Sequence, residues 1–168
     1  MSNIFLIGFM GTGKSTIAEA LKRKYDMQIV DMDAEIEKEQ KMVISDIFAT
    51  KGEEYFRDLE TQLIKDLQKK DNVVVSCGGG AVLRDENVTE MRKSGKVVLL
   101  NATPETILQR VKNSHNRPLL EGNKNIDFIR ELMSEREDKY NYAADITVNV
   151  DNRAVGEIAD EVYSEVFK

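Results

Sequence analysis

The sequence predicts an α/β protein, a five-stranded parallel sheet with helices on both faces. Three observations point there. The apolar runs Ile4-Phe5-Leu6-Ile7, Val73-Val74-Val75 and Val97-Val98-Leu99-Leu100 are continuous rather than alternating, as in strands buried on both faces. They are separated by stretches with apolar residues at helical spacing. Glycines and acids gather just after the runs, at the strand ends where such sheets collect ligands. A chain of 168 residues suits one domain, 1–168, long enough to bury a core.

Each element has its own warrant. The first run leads into a glycine-rich segment and then a helix carrying Ile17, Ala18, Ala20 and Leu21. Gln28 to Asp33 reads as a short strand ending in two acids, with alternation sending Asp31 and Asp33 the same way. Ala34 to Lys41 is a charge-rich helix with a solvated face. Ser45 is placed to cap a short helix through Ile47 and Phe48. Gly52 opens a longer helix with a stripe of Tyr55, Phe56, Leu59, Leu63 and Leu67.

Beyond the run at Val73, Ser76-Cys77 leads into Gly78-Gly79-Gly80. Asp85 to Lys93 reads as a helix and Lys96 to Asn101 as a strand. Thr103 as cap and Pro104 at the first position begin a helix with Ile107, Leu108 and Val111. From Lys112 to Lys124 the pattern lapses into polar residues with Pro118 and Gly122, a surface loop of lid length expected to be mobile over about 112–125. A helix over Ile126 to Tyr140 sets Ile129, Leu132, Met133, Arg136 and Tyr140 along one side. Ile146, Val148 and Val150 alternate as a half-buried strand. The last helix puts Val155, Ile158, Ala159, Val162 and Val166 on one face.

Composition narrows the function classes. Hydrophobic residues are 41% and charged residues 32%, ordinary for a soluble globular protein. A net charge of −6 argues against nucleic acid or anionic membranes as partners, so an anionic substrate has to be held by locally placed arginines. No apolar run approaches membrane-spanning length. Cys77 is the single cysteine and His115 the single histidine, which rules out an intrachain disulfide, a structural zinc site and histidine-based nucleophilic relays. Cys77, at a strand end, is expected to be buried and inert. The first strand begins almost at Met1, so neither a leader nor a location outside the cytoplasm is expected.

The most specific short pattern is Gly8-Phe9-Met10-Gly11-Thr12-Gly13-Lys14-Ser15, which has the spacing G-x-x-x-x-G-K-[ST]. It lies between a predicted strand and a predicted helix, the context that makes it a phosphate-binding loop. Glycines let successive N–H groups turn toward an anion, and the following helix adds its positive end. Lys14 is placed to reach the β- and γ-phosphates, and the Ser15 hydroxyl to hold Mg²⁺. The chain is expected to bind a nucleoside triphosphate.

Other polar singularities sit at predicted strand ends. Asp31 and Asp33 can serve a Mg²⁺ shell and a substrate hydroxyl together, or merely dress a helix N-terminus. The glycine triplet lets a ligand touch backbone directly. Arg136 shares a helix side with Leu132, Met133 and Tyr140, so it either snorkels outward or meets an anion. Arg57 flanks its own stripe, and spacing assigns nothing to Arg110 or Arg153. Arg117, beside Pro118, is either solvated or an arginine that closes over phosphates.

Taken together, these pieces resemble the shikimate kinase family essentially end to end. The matching residues are Gly8 to Thr16, Asp31-Met32-Asp33, Gly52-Glu53-x-x-Phe56-Arg57-x-x-Glu60, Gly78-Gly79-Gly80-Ala81, Arg117-Pro118-Leu119-Leu120 and Glu135-Arg136-x-x-x-Tyr140. The resemblance implies the fold of P-loop nucleoside-monophosphate kinases, with a substrate-binding segment at about 32–61. It also implies ATP-dependent phosphorylation of the 3-hydroxyl of shikimate, a step toward chorismate and the aromatic amino acids. By the same resemblance, Gly11, Thr12, Gly13, Lys14, Ser15 and Thr16 hold the nucleotide phosphates. Arg57 and Arg136 grip the substrate carboxylate, Asp33 holds ring hydroxyls and acts as base, and Gly78, Gly79 and Gly80 line the substrate site. Arg117 reaches the phosphates, Arg110 and Arg153 lie around the adenine, and Asp31 stands in the outer shell of Mg²⁺ on Ser15. A monomer is expected.

Three rival readings are weaker. A gluconate or nucleoside-monophosphate kinase shares the loop; paired arginines with a triple glycine favour a compact carboxylated polyol over a nucleotide acceptor, and a gluconate-like acid also fits that charge. A catalytically silent nucleotide-binding relative predicts loss of Lys14, Asp31 or Asp33, and all three are present. A GTP-driven switch needs D-x-x-G and N-K-x-D, whereas Asn123-Lys124 has its acid one position late, at Asp127.

Overall fold

The computed structural model describes residues 2–111 and 125–168. Five strands, β1 (Asn3–Ile7), β2 (Gln28–Asp31), β3 (Val73–Ser76), β4 (Gly95–Asn101) and β5 (Ile146–Asn149), form one parallel sheet ordered β2-β3-β1-β4-β5. The continuous apolar runs are the three central strands. Phe5 of β1 pairs with Val75 on one side and Val97 on the other. All of β1 and β3 is buried, because helices cover both faces there. The edge strands β2 and β5 are partly exposed, which explains the alternation in the last strand.

Between the strands run α1 (Lys14–Tyr25), α2 (Met32–Gln40), α3 (Ile44–Lys51), α4 (Glu53–Leu67), α5 (Asp85–Arg92), α6 (Pro104–Val111), α7 (Ile126–Ala143) and α8 (Val155–Phe167). A short 3₁₀ turn, Ala81–Leu83, follows the glycine triplet. The main core gathers β1, β3 and β4 with Ile17, Leu21, Ile64, Met91, Ile129 and Val162 from the helices. A second, smaller cluster of Ile36, Ile47 and Phe56 joins α2, α3 and α4. Among the described residues no helix is long and apolar enough to cross a membrane.

Several local expectations are corrected. β2 ends at Asp31, whose side chain accepts the Ala34 N–H at 3.1 Å and caps α2. Asp33 therefore sits in the first turn of a helix, and strand alternation does not set its direction. Ser45 lies inside α3 rather than capping it. The Ile44 N–H at that helix start is instead met by Glu37 Oε2 at 2.9 Å. The buried face of α4 is Phe56, Glu60, Thr61, Ile64 and Leu67, with Tyr55 exposed, because α4 serves both clusters and rolls between them. Val155 is exposed rather than packed, and α7 runs three residues past Tyr140. Thr103 does cap α6, accepting the Thr106 N–H at 3.3 Å. The expected lid, with Arg117 and His115, lies outside the described residues up to Asn125, which caps α7.

Candidate active site

The loop between β1 and α1 is built for an anion. Gly8 has φ of 151°, and a Cβ there would stand 2.6 Å from Leu100 O, so both conformation and space require glycine. Gly13 is the N-cap of α1, and no acid lies in that helix's first turn to offset its positive end. Thr12 is buried and turned inward, its hydroxyl donating to Phe9 O at 2.9 Å and its N–H to the same oxygen at 3.3 Å. Its side chain thus shapes the turn. Ser15 and Thr16 are exposed on the first turn of α1. Lys14 Nζ donates to Gly8 O at 2.7 Å and Phe9 O at 3.3 Å, which folds it back over the loop.

Arg110 and Arg153, uninformative in sequence, flank this loop. Arg110 Nη1 donates to Gly11 O at 3.1 Å. Arg153 is held by Glu157 and Glu161, both at 2.7 Å, and by Asn149 O at 2.8 Å. A cavity of about 260 Å³ opens here, lined by Gly11, Gly13, Thr16, Arg110, Arg153 and Val155. It explains why Val155 is left uncovered.

The glycine triplet forms a second centre, where the missing side chains matter most. A Cβ on Gly78 would stand 2.9 Å from Asp33 Oδ1 and 3.0 Å from Glu60 Oε2. One on Gly79 would stand 3.1 Å from Arg136 Nη1, and one on Gly80 2.5 Å from Arg57 Nη2. Two carboxylates, Asp33 and Glu60, and two guanidinium groups, Arg57 and Arg136, thus converge on bare backbone. Tyr140 fixes the platform by donating its hydroxyl to Gly79 O at 2.7 Å. That hydroxyl is held above its ordinary pKa by burial, against the pull of Arg136.

The two arginines are placed differently. Arg57 lies between Glu60 Oε1 at 2.7 Å and Glu53 Oε2 at 3.2 Å. Arg136 makes no ion pair among the described residues, although it is half-buried on the side of α7 that faces Gly79. A cation so placed is poised for an anion from outside the protein. Asp33 has its pKa raised by burial first and by the neighbouring Asp31 second, with Lys14 opposing. It is a carboxylate with enhanced proton affinity at the mouth of the phosphate loop.

Glu60 is the residue whose importance sequence reasoning missed. It is fully buried, its proton affinity raised by burial against the attraction of Arg57, and its Oε2 has no hydrogen-bond partner among the described residues. The signal was available, since Glu60 stands midway between Phe56 and Ile64 on the buried face and three residues past Arg57. Cys77 is buried as expected, which pushes its thiol pKa far up and leaves it unreactive.

The donors near the phosphate loop suit Mg²⁺. They are all oxygen, an exposed Ser15 hydroxyl and a half-buried Asp31 carboxylate that spends one oxygen on its cap. Among the described residues no group of three or more acids, histidines or cysteines could enclose an ion. An ion there would keep water and phosphate oxygens in its shell, as Mg²⁺ does.

Comparison with known proteins places the chain among its relatives. The family model for shikimate kinase matches residues 10–167. A shikimate kinase of Persephonella marina is 42% identical over 166 residues, covering 99% of this chain and 99% of the relative. One from Sulfurihydrogenibium sp. is 41% identical, covering 99% and 98%. The structure of shikimate kinase from Acinetobacter baumannii in complex with shikimate superposes with a TM-score of 0.88 at 31% identity, covering 100% of this chain and 96% of that one. A gluconokinase from Sinorhizobium meliloti reaches only 0.59 at 17% identity, a likeness of fold alone. With a family model over residues 10–167 and relatives about 40% identical along their full length, the chain belongs to the shikimate kinase family.

Proposed function

We infer that the chain transfers the γ-phosphoryl group of ATP to the 3-hydroxyl of shikimate, giving shikimate 3-phosphate and ADP, on the route to chorismate and the aromatic amino acids. The observation that carries the reading is the convergence of Asp33, Arg136 and Arg57 on Gly78, Gly79 and Gly80. A compact ring bearing one carboxylate and several hydroxyls matches two cations and one acceptor over a surface without side chains.

In this reading Arg136 and Arg57 take the carboxylate in charge-assisted hydrogen bonds, which offsets the repulsion of a protein with net charge −6. Asp33 accepts a hydrogen bond from the reacting hydroxyl and takes its proton as the oxygen bonds to the γ-phosphorus and the bond to the β-phosphate oxygen breaks. Its raised pKa suits a base that must hold that proton. Lys14 exchanges the Gly8 and Phe9 carbonyls for the phosphates, and the N–H groups of Gly11, Thr12, Gly13, Ser15 and Thr16 are assigned to phosphate oxygens. The Thr12 N–H would first give up its bond to Phe9 O.

Mg²⁺ would be held by Ser15 with Asp31 in its outer shell, and when bound supplies charge neutralisation to the phosphates. Arg110 and Arg153 are assigned to the adenine side, supported by the cavity they line. Arg117 is assigned to the phosphates on the family pattern alone. The enzyme is read as one domain, 1–168, acting as a cytoplasmic monomer without nucleic acid or membrane partners.

A coupled ADP-release assay with Mg-ATP tests the function, comparing shikimate, gluconate, nucleoside monophosphates and no acceptor. Turnover with shikimate alone is expected. Turnover with another acceptor instead would overturn the assignment of Arg57, Arg136 and the glycines.

A further inference from the structure

Behind the Arg57–Gly80 contact lies a buried polar bridge that phosphoryl transfer does not itself require. Asn87 of α5 is fully buried. Its Nδ2 donates to Ala81 O at 2.8 Å, the residue immediately after Gly80. Its Oδ1 accepts the Thr61 hydroxyl of α4 at 2.6 Å. Thr61 is itself nearly buried, and its hydroxyl oxygen lies 3.1 Å from Arg57 O one turn earlier. Arg84 Nη1 donates to that oxygen at 3.2 Å from the solvent side.

The chain Arg57–Thr61–Asn87–Ala81–Gly80 therefore closes a ring around the tightest clearance in the site, the 2.5 Å between a Gly80 Cβ and Arg57 Nη2. An all-apolar contact would hold α4 against the 3₁₀ turn, but with no fixed register. Two short directional hydrogen bonds between buried groups do fix one, Asn87 Nδ2 to Ala81 O at 2.8 Å and the Thr61 hydroxyl to Asn87 Oδ1 at 2.6 Å, because breaking either leaves a buried polar group poorly satisfied.

We propose that Asn87 and Thr61 are positioning residues for shikimate, a bridge that sets the spacing between the Arg57 guanidinium and the Gly79–Gly80 backbone and so sets the enzyme's preference for a carboxylate on the acceptor. This rests on the functional reading above. Neither residue touches substrate. Both act through Arg57, where even a misplacement well short of ~1 Å weakens a charge-assisted grip.

The test uses Thr61→Val, which is nearly isosteric, and Asn87→Ala, which breaks the same bridge from the other side, with Thr61→Ser as the conservative control. Each is assayed with ATP and either shikimate or its neutral carboxamide. Thr61→Val and Asn87→Ala are expected to raise KM for shikimate about tenfold, leaving KM for ATP within twofold and carboxamide turnover little changed. The ratio of shikimate to carboxamide kcat/KM then falls about tenfold, while Thr61→Ser stays near the parent ratio. Either broken-bridge variant that folds carries the test. An unchanged ratio, or parallel losses on shikimate, carboxamide and ATP, would show a merely structural role and overturn the proposal. Absence of shikimate turnover in the parent enzyme would instead overturn the function, a separate outcome.

Discussion

Gly80→Ala puts the geometry of the acceptor site to its most direct trial. The backbone there has φ of −100° and ψ of 7°, which alanine accepts, so the fold itself is not strained. What changes is the space above it. The new Cβ would lie 2.5 Å from Arg57 Nη2, 2.6 Å from Nη1 and 2.8 Å from Cζ, whereas ordinary contact begins at 3.4 Å, a shortfall of 0.9 Å at the closest atom. The guanidinium must retreat by about that much, yet Glu60 holds it at 2.7 Å and Glu53 at 3.2 Å. A displacement on the order of 1 Å at a positioning group costs about 10²-fold in kcat/KM, equivalent to ~2.7 kcal/mol. Steady-state kinetics with shikimate varied at saturating ATP should show that loss mainly in KM for shikimate, with KM for ATP and the melting temperature close to parent values. A loss below threefold, or an equal rise in both KM values, would refute the claim that Arg57 grips substrate across this glycine.

Three other outcomes are expected. Arg136→Ala should weaken shikimate binding by ~10- to 100-fold, the range for a charge-assisted hydrogen bond, while calorimetry finds ATP binding retained. Asp33→Asn should lower kcat by at least about 10², and the parent kcat/KM should show an acid limb above the ordinary aspartate pKa, since the base works ionised and burial raises its proton affinity; a limb at or below 3.8 would contradict the role. Glu60→Gln removes a buried acid whose folded pKa is raised, so the parent's advantage is complete below the ordinary glutamate value of 4.5 and is lost as pH rises through the folded value. Thermal melts should accordingly show the melting temperature of the variant gaining on the parent as pH rises above about 4.5, even as its kcat/KM for shikimate falls about tenfold with the loss of Arg57's partner.

The sheet was legible in the chain because burial on two faces leaves a pattern that needs no neighbour to interpret: β1, β3 and β4 are apolar residue after residue. The phosphate loop was legible because its spacing and flanks are local. Strand alternation misleads about Asp33, whose direction is set by the first turn of α2, which begins where Asp31 turns from strand residue to cap. The stripe on α4 is misleading for a related cause. A helix between two apolar clusters has two inward directions, and apolar periodicity alone cannot show that Glu60 and Thr61 lie between them. Arg110 and Arg153 are 43 positions apart in sequence and line one cavity only because α6 and the turn before α8 both adjoin the phosphate loop. Single-residue chemistry at long range is the part that one chain, read in order, does not display.

The division of the apolar interior into two clusters has a consequence for how the molecule breathes. Ile36, Ile47 and Phe56 share few residues with the main core, Leu63 being one that packs against both. Disassembling the small cluster exposes little surface compared with parting the sheet, so α2 and α3 form a unit able to detach while β1, β3 and β4 stay paired. Amide exchange should therefore run in two tiers, with α3 protons lost through partial opening and β1 protons only through global unfolding. Shikimate would slow the first tier selectively, because it would tie Arg57, at the start of α4, to Arg136 on α7, and the slowing would report occupancy of the acceptor site from residues that never touch it.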